Sequence, residues 1–339
     1  MKAYQIGAQT GLGSLTRADV PDPIAGPSEV VLRVNAVCLN HRDLLILNGT
    51  YGPRKPEDRI PVSDGVGDVM SIGGGVTGVS IGDRVVAPHF ARWIDGAFSQ
   101  SVFATDLGVT CNGWLAERIV VPAAALVKVP DALSDEQVAA LPAAGITAWN
   151  ALIEVGKVKT GDVVLALGTG GVSIFALQIA KLKGARVAIT SSSDEKLALA
   201  RQLGAEFTIN YRTTPDWPTA LMAATGGAGA DIIIETGGQS TLDQSLAAAA
   251  VGGRIVLIGA LAGVPGRGLA NFQAIIGKNL ALKGITSGSR AMLAALIGAV
   301  EMGGIKPVID KVFAFDDAAA AYAYLNSGAH LGKVMIKVR

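Results

Sequence analysis

The chain has 339 residues, of which 50% are hydrophobic and 17% charged, and its formal net charge is +1. This composition excludes an intrinsically disordered chain, and it offers no basic excess for binding nucleic-acid phosphates. A single hydrophobic core rarely grows beyond about 250–300 residues, so we expect two domains. No apolar run reaches the ~18 residues that a membrane span needs, and we expect no membrane partner.

The two cysteines, Cys38 and Cys111, are too few for a disulfide scaffold or a cysteine-rich zinc site. The first residues, Met1 to Ile6, do not resemble a secretory leader. We therefore expect a cytoplasmic protein with reduced thiols.

Residues 1 to about 130 have the pattern of a small antiparallel barrel or sandwich. Short β-branched runs alternate there with Gly, Pro and Asp clusters, and the runs are 30–34, 69–72, 84–87 and 118–121. One helix is predicted within this region, from His41 to Leu47.

Strands and helices alternate from about Ala132 onward, which predicts a parallel sheet with helices on both faces. Ser134 and Gln137 have the spacing of a capping box at a helix start. Predicted strands are 163–167, 187–190, 231–234 and 254–258, and predicted helices are 172–183 and 194–203. The tail returns to a strand pattern at 332–338, and we expect it to rejoin the N-terminal domain. The predicted domains are thus 1–130 completed by 288–339, and 131–287.

The glycine-rich sequence from Gly168 to Ser173 stands where a strand ends and a helix begins. It has the pattern G-x-G-x-x-S, in which Gly168 permits a tight turn and Gly170 lets backbone amides approach a pyrophosphate. We therefore assign dinucleotide binding to Gly168, Thr169, Gly170, Gly171 and Val172. The sequence Gly73–Gly78 also reads G-x-G-x-x-G, but no helix pattern follows it, and we interpret it as a hairpin turn.

The end of the next strand distinguishes NAD from NADP, because NAD sites usually place a carboxylate there for the ribose 2′-hydroxyl. Here the strand ends in Ser191 and Ser192, and Lys196 follows one helical turn later. Hydroxyl and ammonium groups favour a 2′-phosphate and therefore NADP (NADPH). The alternative is that Ser193 only caps the helix and Lys196 is solvated. The nearby carboxylates of Asp194 and Glu195 argue against NADP.

Together these segments resemble the medium-chain dehydrogenase/reductase superfamily, over essentially the whole chain, and within it the zinc-independent, quinone-oxidoreductase-like branch. The matching sequences are 39–43, 61–67, 79–85, 141–148, the glycine loop, Asn210-Tyr211, 252–255, 279–284 and 332–334. The resemblance implies an α/β fold: a Rossmann doubly wound parallel sheet plus a GroES-like, β-rich catalytic domain.

Zinc alcohol dehydrogenases of this superfamily bind their catalytic metal through a Cys, a His-Glu pair and a second Cys. The matching positions here are Asn40, Ser63-Asp64 and Ala143. This donor set is unsuited to tetrahedral zinc, so we expect no metal. An adventitious site involving Asp64, His41 and His89 is the alternative.

The resemblance also implies roles for individual residues. Asn40 would face the nicotinamide or simply hydrogen-bond within its own loop, and Tyr51 would donate to the substrate oxygen or wall the pocket. Asp43 would act as an acid or, more simply, anchor a helix or the domains. Further cofactor contacts are implied for Thr147, Tyr211, Gly259, Ala260, Leu261 and Ser287, and Lys333 would either reach the pyrophosphate or be a solvated strand lysine.

The resulting hypothesis is an NADPH-dependent, metal-free oxidoreductase that transfers hydride to a quinone or an α,β-unsaturated carbonyl compound. The alternatives are a zinc-free alcohol dehydrogenase or carbonyl reductase, and an NADPH-binding sensor without turnover. We expect a small-molecule carbonyl or quinone substrate, no nucleic-acid partner, and a homodimer with its contact near 262–276. The segment 89–114 is interpreted as a pocket wall or a subunit contact.

Overall fold

The computed structural model describes residues 1–259 and 271–339. The strands of this part of the chain are β1 (Lys2–Gln5), β2 (Thr16–Asp19), β3 (Glu29–Leu39), β4 (Asp64–Ile72), β5 (Arg84–Val86), β6 (Arg118–Pro122), β7 (Val127–Lys128), β8 (Val163–Ala166), β9 (Arg186–Ser191), β10 (Phe207–Asn210), β11 (Ala230–Glu235), β12 (Ala249–Leu257), β13 (Ala281–Gly284), β14 (Ile309–Ala314) and β15 (Lys333–Lys337). The α-helices are α1 (His41–Leu47), α2 (Asp135–Ala139), α3 (Ile146–Trp149), α4 (Gly171–Leu182), α5 (Asp194–Gln202), α6 (Trp217–Ala224), α7 (Gln239–Ala248), α8 (Phe272–Gly277), α9 (Arg290–Glu301) and α10 (Ala318–Asn326).

The chain divides into two compact units. The first comprises Met1–Ile146, Gly288–Gly303 and Pro307–Arg339, and the second comprises Thr147–Ser287 and Gly304–Lys306. The first unit therefore extends to 146, beyond the boundary at 130 that the sequence pattern predicts. The reason is that α2 packs against β3 and β4 of the first unit, a tertiary contact that its local sequence does not encode.

The first unit is built on a seven-stranded sheet, in which six strands follow the order β14-β15-β3-β4-β5-β7 and the seventh, β6, pairs with β3. The tail strand β15 runs antiparallel to β3, with Val334 opposite Leu39. The predicted return of the tail to the N-terminal domain is confirmed. The core between these elements includes the fully buried Trp114 and Tyr322.

The second unit contains a six-stranded sheet in the order β10-β9-β8-β11-β12-β13, and every neighbouring pair in it is parallel. Relabelled from β8, this order is 3-2-1-4-5-6, the Rossmann arrangement. The chain reverses direction across the sheet between β8 and β11, and ligands of such sheets bind at the carboxyl ends of the strands there. The predicted doubly wound parallel sheet is confirmed.

Two local motifs have the structure that the sequence predicts. Ser134 and Gln137 form the reciprocal capping box that begins α2. The segment from Gly73 to Gly78 lies in the connection between the antiparallel strands β4 and β5, so it is a hairpin and not a nucleotide loop. Among the described residues, no helix has the length and apolar character to cross a membrane.

Candidate functional site

The glycine loop of the second unit lies between β8 and α4, as the sequence pattern predicts. Gly168 has a φ of +77°, a backbone conformation that favours glycine. A Cβ added to it would meet no atom of the chain within 4 Å. Gly170 has an ordinary φ of −75°, and a Cβ added to it would meet nothing within 4 Å. Neither its backbone conformation nor its packing within the chain therefore requires glycine at 170. Close approach of a ligand to the backbone explains it better.

The first turn of α4 points unpaired N–H groups toward this open space. No side chain caps α4, and the same holds for α7 and α10. The positive end of an uncapped helix is suited to an anion such as a pyrophosphate. The residues present therefore fit a dinucleotide.

Hydroxyl groups hold the loop at the ends of three strands. Ser173 donates to the carbonyl oxygen of Leu167 at 2.7 Å, and Thr236 donates to the same oxygen at 3.0 Å. The N–H of Gly168 donates to the hydroxyl of Thr190 at 3.2 Å. Ser173 is buried at the position of the usual third glycine, so here it ties the helix to the strand instead of merely permitting their approach.

The carboxyl end of β9 carries the residues predicted to distinguish the cofactors. Ser191 is buried, its carbonyl accepts from the N–H of Tyr211, and its hydroxyl lies 3.5 Å from that of Thr169. Tyr211 is 42% exposed. Ser193 caps α5, and the Asp194 carboxylate accepts from the side-chain amide of Asn210 at 2.9 Å. Ser191, Tyr211 and the glycine loop are thus brought together, and Asp194 already has a partner.

The positions of the other cofactor residues implied by the resemblance do not test a contact with the cofactor. Thr147 and Ser287 are buried in the second unit, and the Ser287 carbonyl accepts from the side-chain amide of Asn150 at 2.6 Å. Gly259 follows β12, where its N–H contacts the carbonyl of Glu235 at 3.4 Å. Ala260 and Leu261 lie outside the described residues.

Asn40 is the central polar residue of the first unit, at the junction of β3 and α1. Its side-chain oxygen accepts from the ammonium group of Lys333 at 2.5 Å, and its amide nitrogen lies 3.4 Å from the Ser63 hydroxyl. Lys333 also donates to the carbonyl of Leu39 at 2.9 Å and is 4% exposed. The alternative of a solvated strand lysine is therefore wrong, because both of its hydrogen bonds are made inside the unit.

The hydrogen bonds continue from Asn40 through the other positions at which zinc relatives have metal ligands. Ser63 donates to one carboxylate oxygen of Asp64 at 2.8 Å, and the backbone N–H of Ala143 donates to the other at 2.9 Å. Lys333, Asn40, Ser63, Asp64 and Ala143 thus form one connected series, which we call the Asn40 network.

The Asn40 network does not fit a catalytic zinc. Its one carboxylate is buried and accepts hydrogen bonds through both oxygens, and its other members are an amide, a hydroxyl and an ammonium group. Zinc sites use Cys, His or carboxylate ligands that converge on the metal. Among residues 1–259 and 271–339, no group of three or more His, Cys, Asp or Glu side chains is arranged to hold a metal ion.

Asp43 lies fully buried in the first turn of α1, where its carboxylate accepts from the backbone N–H of Asn40 at 2.7 Å. Burial is the largest influence on it and raises its pKa to about 7, against the opposing charge of Arg42. The geometry makes Asp43 a residue that positions Asn40, since it contacts the backbone of that residue and lies away from solvent.

A second charged cluster lies behind Tyr51. Arg42 donates to the Asp106 carboxylate at 2.7 Å and to the ring nitrogen of His89, and all three side chains are largely buried. Burial opposes ionisation of Asp106, but Arg42 and His89 hold its pKa below the usual value. The Arg42 guanidinium lies 5.0 Å from the ring centre of Tyr51.

Tyr51 itself is half-buried, and burial raises the pKa of its hydroxyl above the ordinary value. That hydroxyl makes no hydrogen bond to another residue of the described chain. It therefore stays protonated through neutral pH and is available to donate.

Sequence reasoning missed the Arg42–His89–Asp106 cluster and the contact of Lys333 with Asn40. The cluster joins residues 17 and 64 positions apart, and the lysine contact spans 293 positions. No local periodicity signals either one. Two hints were available: Arg42 and Asp43 precede the apolar second half of a short helix, and Lys333 begins a strand whose next three residues are apolar and buried.

Comparison with known proteins agrees with this architecture. Residues 26–131 match the alcohol dehydrogenase GroES-like domain, and residues 171–302 match the zinc-binding dehydrogenase model. A zinc-type alcohol dehydrogenase-like protein of Schizosaccharomyces pombe is 42% identical over 94% of this chain and 93% of its own length. An acryloyl-coenzyme A reductase of Sulfurisphaera tokodaii is 30% identical over 94% of this chain and 95% of its own. A solved NAD-dependent alcohol dehydrogenase is 36% identical, with a TM-score of 0.91 and 100% of each chain covered.

The GroES-like domain, the Rossmann sheet and the open glycine loop define a nicotinamide-dependent oxidoreductase. The chain belongs to the medium-chain dehydrogenase/reductase superfamily.

Proposed function

We propose that this enzyme is a metal-free, NADPH-dependent reductase of α,β-unsaturated carbonyl compounds or quinones. The observation that carries the proposal is the Asn40 network, which occupies the positions of the zinc ligands with hydrogen-bonding groups. An enzyme without a Lewis acid must stabilise the developing oxyanion by other means, and oriented hydrogen-bond donors are the usual ones.

In this proposal two side chains of the first unit act on the substrate oxygen. The Asn40 amide nitrogen has only long contacts within the chain, 3.4 Å to the Ser63 hydroxyl and 3.5 Å to the Cys38 carbonyl, and it donates to the substrate oxygen in their place. The Lys333 ammonium bound to the Asn40 side-chain oxygen polarises the amide and strengthens that donation. The Tyr51 hydroxyl delivers the proton, because burial keeps it protonated. The reduced nicotinamide, when bound, supplies the hydride.

The preference for NADPH is supported by the end of β9. Ser191 and Ser192 stand there in place of a carboxylate, Lys196 lies in the first turn of α5, and Tyr211 flanks the same strand end. The nearest carboxylate, Asp194, is bound to Asn210. The main competing hypothesis is a preference for NADH, since one solved relative is named as NAD-dependent.

The choice of an activated double bond is supported by the relative named as an acryloyl-coenzyme A reductase, since an acryloyl group is an α,β-unsaturated acyl group. Relatives named as alcohol dehydrogenases favour a second candidate, reduction of the carbonyl itself. The product distinguishes the two: hydride at the β-carbon saturates the C=C bond, and hydride at the carbonyl carbon gives an allylic alcohol.

The test is oxidation of NADPH and of NADH by the purified enzyme with benzalacetone and with menadione, with product analysis and a zinc assay on the same sample. Saturated ketone or quinol from NADPH, insensitive to chelators, supports the proposal. An allylic alcohol product, a preference for NADH, or stoichiometric zinc contradicts the corresponding part of it. Tight NADPH binding without turnover on any acceptor would indicate a sensor.

We further propose that the enzyme is a cytoplasmic homodimer that binds small molecules only. The edge strand β13 and the exposed side chains of Phe272 and Ile276 on α8 support a contact between copies along this side of the second unit. Light scattering of the eluting protein at several concentrations tests it, and a monomer at micromolar concentration contradicts it.

A further inference from the structure

The first unit contains a pocket of about 600 Å³ beside Tyr51. One wall is the segment from Tyr51 to Arg59, and the other includes Phe103, Asp106 and Val109 of the segment 89–114. The pocket therefore combines an apolar surface with the side chain that we propose as the proton donor.

Positive charge dominates the lining of this pocket. Arg54, Lys55 and Arg59 all line it, and Asp106 is the one carboxylate among its lining residues. The charge of Asp106 is already balanced by Arg42, which binds it at 2.7 Å. The chain as a whole has a net charge of +1, so this local excess is not a reflection of general basicity.

None of the three lining cations has an anionic partner among the described residues. Lys55 donates to the backbone carbonyls of Tyr51 and Pro53, and Arg59 donates to the neutral side chain of Asn112 at 3.2 Å. The Nε atom of Arg59 is buried and has no hydrogen-bond partner. Partial burial, followed by the charge of Arg42, lowers the pKa of Lys55. Such groups are stabilised when an anion enters.

We propose that this pocket binds an anionic group of the substrate, a carboxylate or a phosphate, while the apolar part of the substrate packs on Tyr51 and Phe103. The inference rests on the proposed function, since it names the substrate class of that reductase. Arginine is suited to this task because its planar guanidinium offers paired donors to a carboxylate or phosphate.

The experiment compares three activated alkenes: uncharged benzalacetone, para-carboxybenzalacetone, which differs from it by one carboxylate, and crotonyl-coenzyme A, which carries phosphates and is compared only between wild type and variants. Arg59→Gln and Arg54→Gln are measured beside Lys337→Gln, a control that removes one positive charge from an exposed lysine of the same unit. We expect each arginine variant to raise KM for the charged substrates about tenfold, the loss of one charge-assisted hydrogen bond, with kcat unchanged. Benzalacetone kinetics, NADPH binding and the control variant should be unaffected.

The two charged substrates separate the sources of the anion: a KM effect on the carboxylate alone assigns a carboxylate subsite, and an effect on crotonyl-coenzyme A alone assigns a phosphate subsite. Equal effects on benzalacetone, or no preference of the wild type for charged substrates, would overturn the inference while leaving the proposed reductase intact. A second experiment, calorimetric titration with benzoate and with coenzyme A, tests the pocket without turnover. Loss of benzoate or coenzyme A binding in Arg59→Gln supports the subsite even if no enone is reduced. Absence of binding of both ligands to the wild type contradicts it.

Discussion

The ammonium group of Lys333 donates a hydrogen bond to the side-chain oxygen of Asn40, across 293 positions of sequence. The contact exists because β15 pairs with β3 and places the tail beside the start of α1. The last strand therefore does more than complete a sheet. It puts the one buried lysine of the described chain against the amide that replaces a metal ligand of zinc relatives.

Replacing Lys333 by Met should lower kcat about tenfold and leave the NADPH dissociation constant near its original value. The reason is that the substitution removes the group that orients and polarises the Asn40 amide, a loss of part of an oxyanion interaction. It should also cost about 1–3 kcal/mol of unfolding free energy, because Asn40 Oδ1 and the Leu39 carbonyl lose their donor. Steady-state kinetics, NADPH fluorescence titration and urea unfolding measure the three effects.

The control for this variant is Lys337→Met, on the same strand but exposed. It should change none of the three measurements. A Lys333→Met enzyme that binds NADPH poorly but turns over normally at saturation would instead assign Lys333 to the pyrophosphate, as the family resemblance allowed.

The sequence predicted the parts of the fold that depend on local patterning. The continuous apolar runs at β8 and β11, the capping box at Ser134 and the glycine loop each encode their structure within a dozen residues. The first-unit boundary at Ile146 was missed because α2 packs on β3 and β4, a contact made far along the chain.

The candidate site was predictable to a smaller extent. Residue types alone show that Asn40, Ser63 and Ala143 are not zinc ligands. They do not show that hydrogen bonds join these positions. Arg42 and Asp106 likewise look like ordinary surface charges in sequence, and burial pairs them. Buried polar groups must find partners, but which partner depends on the tertiary fold.

Replacing Tyr51 by Phe should lower kcat by about 10²- to 10³-fold, within the range for loss of a general acid, while NADPH binding is unchanged. Burial raises the pKa of the Tyr51 hydroxyl above its ordinary value near 10. At pH values below that ordinary value, wild-type turnover should therefore not fall through ionisation of Tyr51. A pH–rate profile and single-turnover hydride transfer check this. Unchanged turnover in the variant would remove Tyr51 from the mechanism.

Placing a carboxylate at the end of β9 should reverse the cofactor preference. Ser192→Asp would repel the 2′-phosphate of NADPH and accept from the 2′-hydroxyl of NADH, so we expect the ratio of kcat/KM for NADPH over NADH to fall at least about tenfold. Ser192→Asn is the control, since it has the same size without the charge and should retain most of the preference. If the wild type already prefers NADH, the interpretation of Ser191 and Ser192 is wrong.

Asp43→Asn should change how stability depends on pH. In the folded enzyme burial raises the pKa of Asp43 from 3.8 to about 7, so the folded state holds this proton over a range in which the unfolded state has released it. Stability contributed by the proton is full below the unfolded pKa and is lost as pH rises through the folded pKa. The asparagine variant keeps an oxygen that can accept from the Asn40 N–H but cannot ionise. Its free energy of unfolding relative to wild type should therefore rise by about 2–3 kcal/mol between about pH 5 and about pH 8.

Urea unfolding at both pH values measures the difference, with the exposed Asp131→Asn as a control that should show no such gain. A constant offset between variant and wild type would mean that Asp43 ionises at the same pH in both states.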